Sequence, residues 1–244
     1  VDCGDVLDMS GSFSIGGWVY NNGCNYTTVL SKREHLNSTS YYGYHLSYEN
    51  VGNIEFVVAE NYNSGSGTES TAQTPIISNQ WVHLVGVFDA GNSISLYVNG
   101  VQVDQTSTSI SNLSNNNAPF LIGSLQIPGD WTWDGKLDDI FIYDKALSSS
   151  EIISLYNGTT PQNNLQGFWD FNEGSGTTVI DQSGNGNDGT VYGATWVDSN
   201  EDVLLTYDFT LDNWSPTGTE HLAVEYRDGA TWNTLRDFAN SADY

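Results

Sequence analysis

No apolar stretch in this chain runs far before a Gly, Asn, Ser or Pro interrupts it. "SFSIGGWVY", "TTVLSK", "YYGYHLSYE", "NIEFVVAE", "QWVHLVGVFD", "ISLYVNGVQVD", "PFLIGSL" and "LDDIFIY" follow one another, each about the length of one strand and each bounded by turn-forming residues. In "SLYVNGVQV" the Asn99-Gly100 pair sits between alternating apolar residues, the pattern of a two-residue hairpin turn with positive φ. The succession predicts a meander of antiparallel strands. With 244 residues the core is not size-limited, and 13% aromatic content with 8 Trp and 14 Tyr suits an all-β sandwich or barrel.

One segment breaks the alternation. "ALSSSEIISLYNG" reads as a short helix: Ser148 and Glu151 form a capping box, Leu147 and Ile152 a hydrophobic staple, and Gly158 a left-handed stop. Ile152, Ile153, Leu155 and Tyr156 give it an apolar side to lay on a sheet. "NGTTPQNN", residues 157–164, is a polar connector, after which alternation resumes as far as "TWNTLRDFA". The final part holds only about three strands, too few to be stable alone, so the chain is expected to be an excerpt of a longer multidomain protein.

Charge excludes several partners. Six Lys and Arg against 30 Asp and Glu leave a net charge of -24, which repels phosphate backbones and anionic lipid. Nucleic acid is therefore not an expected partner. There is no run of 18 apolar residues and no basic segment followed by an apolar one at the start, so membrane insertion is not expected either. Such acidity suits a secreted or cell-surface protein in salt water. Cys3 and Cys24 are an even pair whose bridging suits an exported protein, and two unpaired thiols are the alternative.

"GSFSIGGWVY", "QWVHLVGVFDAGNSISLYVNGVQV" and "WDGKLDDIFIYDKALSSSEIISLYNG" resemble, in order and spacing, the bacterial laminin G-like domain of the concanavalin A-like lectin/glucanase superfamily (LamG type 3). The resemblance covers residues 1 to about 160 and implies an antiparallel β-sandwich of the jelly-roll kind. "GFWDFNEGSGTTVIDQSGNGNDGTVYGATWV", residues 167–197, resembles the same family's first segment, displaced here to the other end. It either starts a second copy or folds back to complete the first. A second copy should continue into a "SFSIGGWV" equivalent, and residues 198 onward do not. A sandwich lacking an edge strand would also expose unpaired backbone. A circularly permuted sandwich over 1–197 is the expectation, with 165–197 supplying the displaced strands and Trp169 and Phe171 facing inward. Residues 198–244 resemble the start of a second, MAM-like jelly-roll module.

The residues give little sign of catalysis. A catalytic branch of the superfamily carries a Glu-x-Asp-x-x-Glu strand, and no such pattern occurs here. His35, His45, His83 and His221 are scattered without metal-ligand spacing. Asp138 opens a strand, and alternation puts it on the face of Ile140 and Ile142. The resemblance implies a structural calcium at this position, for which the "FNEGSG" loop can bring oxygens from Asn172 and Gly174. Trp131 in "IPGDWTWDG" lies in a loop where the family has small or polar residues, while Trp133 takes the position of a core aromatic. An exposed Trp can stack on a sugar face, so Trp131 is the leading ligand-binding candidate, with Tyr42 and Tyr44 in "YYGYHLSY" next. Together these features imply a noncatalytic extracellular module binding a glycan or other surface ligand, in adhesion or substrate targeting. A structural spacer in a surface adhesin and an accessory module of a secreted polysaccharide-degrading enzyme are the alternatives.

Overall fold

A computed structural model describes residues 1–37, 40–49, 52–63, 68–126, 131–197, 222–228 and 231–238. The chain divides into two compact units, Val1–Val197 and Asp198–Tyr244.

The first unit is an antiparallel β-sandwich. Its strands in chain order are β1 (Phe13–Asn21), β2 (Thr27–Asn37), β3 (Ser40–Tyr48), β4 (Asn53–Asn63), β5 (Thr68–Pro75), β6 (Trp81–Asp89), β7 (Ser93–Val98), β8 (Val101–Ser107), β9 (Leu121–Ile122) and β10 (Gly135–Tyr143). Helix α1 (Ser149–Tyr156) follows, then β11 (Leu165–Trp169), β12 (Thr178–Val179) and β13 (Gly189–Thr190). One sheet has the order β11-β10-β1-β6-β7-β8 and the other β5-β4-β3-β2-β9, while β12 and β13 pair as a small ribbon. Asn99 and Gly100 both have positive φ, 49° and 79°, so the β7–β8 turn takes the form its residues demand. Asn99 also accepts the His83 N–H at 2.9 Å, tying the turn to β6.

The core lies between the sheets. Phe13, Ile15, Leu30, Tyr44, Leu46, Phe56, Phe88 and Trp169 are at most 2% exposed, and Phe171 packs against them half-buried. A second apolar layer covers the outer side of the six-stranded sheet, where Val85, Tyr97, Phe141 and Tyr143 meet Leu147, Ile152 and Leu155 of α1 and its approach. The helix begins as its sequence dictates. Both halves of the Ser148–Glu151 capping box form, Leu147 and Ile152 are both buried, and Gly158 turns left-handed at φ 78°.

Residues 165–197 pack within this unit. Along β10–β11, Ile140 opposes Trp169 and Phe141 opposes Phe168, and Asp2 bridges to Thr190 on β13. The N-terminal segment is held by Lys32, whose side chain is wholly buried: Nζ donates to Asp5 Oδ1 at 2.9 Å and Ala118 O at 2.8 Å, with Asp8 Oδ1 at 3.3 Å. In the second unit, β14 (Leu222–Asp228) and β15 (Thr231–Phe238) form one antiparallel hairpin.

Candidate functional site

The outer face of the six-stranded sheet is only partly covered by α1. Beyond the helix, Trp18 and Tyr20 on β1 stand beside His83 and Trp81 on β6, register partners Trp18–His83 and Tyr20–Trp81. Ring centroids are 5.2 Å apart in the first pair and 5.9 Å in the second. Trp18 is also 5.6 Å from Tyr156 of α1, which fixes its indole from the helix side. Trp81 remains 42% exposed.

A bulge brings carboxylates to these rings. Gly16 pairs with Phe141 and Trp18 with Asp138, so the single residue Gly17 faces both Asp139 and Ile140. Asp139 absorbs the extra residue in a left-handed conformation, φ 47°. Gly17 is required there, because a Cβ would lie 2.9 Å from the Asp139 carbonyl oxygen and 2.6 Å from the Ile140 side chain. Alternation is therefore reset. Leu137, Ile140 and Ile142 pack into the core, whereas Asp138 stands opposite Trp18. The expected sharing of one face by Asp138, Ile140 and Ile142 is corrected by this bulge, which sequence alternation alone does not reveal.

Trp18, Trp81, Asp138 and Asp139 line an open depression of about 290 Å³. Burial raises the Asp138 carboxyl above the usual range, opposed by the Asp139 N–H that donates to its Oδ1 at 2.9 Å and reinforced by Asp170. Asp139 is pushed up to about 6, first by burial, then by the charges of Asp138 and Asp170. Lys136 stands two residues before Asp138 on β10, opposite Tyr20. His83 beneath Trp18 is 2% exposed, held down to about 4 by burial, and leaves Nδ1 without a partner among the described residues. It is a neutral backing residue.

The other expected site residues lie elsewhere. Tyr44 is corrected from ligand contact to core: it is 2% exposed, packs on Phe13 at 4.7 Å, and its hydroxyl donates to Leu7 O at 2.8 Å. Tyr42 is half-buried and donates to Glu34 Oε2 at 2.8 Å. Trp131, with φ 52°, is half-buried and packs edge-on to the exposed Tyr26 at 5.0 Å, forming an aromatic pair that does not line the depression. Trp133 packs half-buried against the core, 5.1 Å from Tyr48. His45 is buried in β3, the side chain of His35 and the whole of His221 lie outside the described residues.

Calcium held by Asp138, Asn172 and Gly174 stays a proposal. Asp138 faces the outer side, and the Asn172 N–H turns back to Asp170 Oδ1 at 3.4 Å. Among the described residues no three His, Cys, Asp or Glu side chains cluster, a condition that does not bear on a calcium held by one carboxylate, an amide oxygen and a backbone carbonyl. Oxygens of Asp5, Asp8 and Ala118 converge on the Lys32 ammonium, which occupies the space between them. The Cys3–Cys24 bridge is also corrected. Both thiols are free: Cys3 is buried beside β13, and Cys24, in the loop after β1, donates to Asp134 Oδ2 at 2.8 Å.

Residues 1–153 match the Laminin G 3 family profile, described as the concanavalin A-like lectin/glucanases superfamily. The chain belongs to this superfamily. The match stops short of residues 198–244, and the MAM-like resemblance of that stretch gains no support. Among solved structures with the same fold are a putative carbohydrate binding protein from Bacteroides ovatus (TM-score 0.57, 14% identity, 75% of this chain and 52% of that one) and a heptameric SAP-like pentraxin from Limulus polyphemus (TM-score 0.50, 17% identity, 75% and 85%). Paraclostridial mosquitocidal protein 1 of Paraclostridium bifermentans is 32% identical over 96 residues, 38% of this chain. The aligned part spans only 7% of that protein's length.

Sequence reasoning missed Trp18, Trp81, Asp139 and Asp170. The spacing of Trp18 with Tyr20 and of Trp81 with His83 is a period-2 signal that places each pair on one face. Both faces of this sheet are apolar, however, so the pattern could not say which face is outward.

Proposed function

We propose that the chain is a noncatalytic binding module for a glycan or similar surface ligand, carried by a secreted or cell-surface protein of several domains. The observation that carries this reading is the depression in which two tryptophans and two aspartates meet on a rigid sheet. Indole faces supply flat apolar area for a sugar ring, and carboxylates accept hydrogen bonds from its hydroxyls. The neighbours with the same fold include a protein named as carbohydrate binding, which agrees with the reading without carrying it. The surface charge of -24 opposes nucleic acid and strongly anionic polymers. Among the described residues no helix is long and apolar enough to cross a membrane.

A glycan array tests the proposal. The wild-type chain should retain a defined set of glycans, Trp81→Ala should lose them, and Trp131→Ala should keep them if the depression is the site. Retention by Trp81→Ala with loss by Trp131→Ala would move the site to the Trp131–Tyr26 pair. No retained glycan with any variant would leave the spacer reading in its place.

A further inference from the structure

Each sheet of the sandwich ends in a strand on either side, and an unguarded end can pair with another chain. β9 is two residues long. β8 and β5 lie against each other: Asp104 Oδ2 of β8 accepts the Gln73 N–H of β5 at 2.9 Å, and the hydroxyls of Ser70 on β5 and Thr108 just past β8 are 2.7 Å apart. β11 has neither protection. It runs for five residues, and from Ile152 to Trp169 the chain carries no charge. A loop guards it instead. The Phe168 N–H donates to Asp181 Oδ1 at 3.0 Å, and the Phe168 carbonyl accepts the Gln182 N–H at 2.7 Å. The Gln166 carbonyl accepts from Ser183 Oγ at 3.1 Å, Asn185 Nδ2 at 3.1 Å and Asn187 Nδ2 at 2.8 Å. Asp181, 5% exposed, closes the loop by accepting the N–H groups of Ser183 and Asn187. Gly184 and Gly186 turn left-handed, φ 84° and 79°, so the segment meets the edge chiefly with side chains rather than as a strand.

The groups the loop occupies, on the alternate residues Gln166 and Phe168, are those a further antiparallel strand would use. Side-chain amides must be fixed in one rotamer to reach them, a cost a backbone ladder does not carry. We propose that the 181–188 loop is a displaceable guard that keeps this chain monomeric, and that its release turns β11 into a docking strand for β11 of a second copy. Charge favours this partner at this place. On a surface of net charge -24 two copies repel, and the uncharged stretch ending in β11 is where they approach with least opposition. Antiparallel pairing of a strand with itself is also twofold symmetric, so the same carbonyls and N–H serve both copies.

Light scattering and amide hydrogen exchange on the full chain, in salt sufficient to screen the net charge, test the guard. Wild type should stay monomeric over the concentration range studied. Asn185→Ala with Asn187→Ala removes three of the loop's donor contacts to β11 without adding charge. This variant should dimerise reversibly, its association constant raised by about 10-fold or more, the scale of one or two net hydrogen bonds no longer competed for. In the dilute variant the Phe168 N–H should exchange about 10-fold faster than in wild type, and slow again as the dimer forms. Adding Gln166→Lys, a charge on the edge itself, should return the variant to monomer. If the double variant does not fold, as judged by its melting transition, Asn185→Ala alone carries the same expectations. A folded variant that stays monomeric at every concentration overturns the inference. So does wild type dimerising as strongly as the variant, or a dimer in which the Phe168 N–H still exchanges fast or which survives Gln166→Lys, since its interface then lies elsewhere.

Discussion

Trp18 stands opposite Asp138 across the β1–β10 ladder, and the residue after it, Asp139, is the one pushed out of register. That displacement puts a carboxyl where ionisation is unfavourable: its folded value is about 6 against an ordinary 3.8. The folded state therefore holds a proton that the unfolded state has already lost between about pH 4 and 6, and stability falls as pH rises through that window. Asp139→Asn should be more stable than wild type by about 1–2 kcal/mol at pH 7, after allowing for solvent screening, and equal to it at pH 4. Urea denaturation at the two pH values checks this. Lower stability of the variant at pH 7 would mean the ionised carboxylate has a favourable partner.

The free thiols differ in reactivity. Burial pushes Cys3 up to about 12, and the hydrogen bond to Asp134 raises Cys24. A thiol reagent should label only Cys24 in the native protein, slowly, and both cysteines in denaturant. Reducing agent should leave the melting temperature unchanged. Absence of labelling in denaturant would restore the bridge.

Lys32→Met should destabilise the sandwich by about 1–3 kcal/mol. The cost is below the ~3–5 kcal/mol of breaking a fully buried pair because Asp5 is half-exposed and can rehydrate, leaving mainly the bare Ala118 carbonyl and an Asp8 that keeps the Asn116 N–H at 3.2 Å. Limited proteolysis near residues 5–8 should accelerate in the variant. Denaturant midpoint and cleavage rate together test it, and an unchanged rate would show that the N-terminal segment is held by its backbone bonds alone.

Trp169 links the late segment to the core. It is wholly buried, stacks on Phe120 at 5.4 Å, and its Nε1–H donates to Asn187 O at 3.0 Å. Trp169→Ala should cost about 3–5 kcal/mol, a large share of a typical ~5–15 kcal/mol. Deleting 165–197 should prevent residues 1–160 from folding as a monomer. A folded, monomeric 1–160 fragment would refute this.

The fold was legible because its signals are local. Period-2 alternation, the Asn99-Gly100 turn and the Ser148–Glu151 cap each depend on residues a few positions apart. The candidate site was legible only in part, since Asp138 could be singled out but its direction depends on a bulge set by Gly17 on another strand. Tyr44 shows the same limit from the other side. Alternation gives a residue's face, but only the opposing sheet decides whether that face is inside. The cysteine pair failed for a related reason, because spacing in sequence carries no distance in space.

The order of the six-stranded sheet also governs how the chain must be made. β1 lies between β6 and β10, so Ser14 waits for Val87 on one side and Tyr143 on the other. At translation speeds of ~5–20 residues per second, that wait lasts about 6–25 s. Throughout it, a strand rich in apolar side chains has an open edge that any neighbouring nascent chain can join. Expression yield, rather than melting temperature, is where weakening of β10 will first be felt.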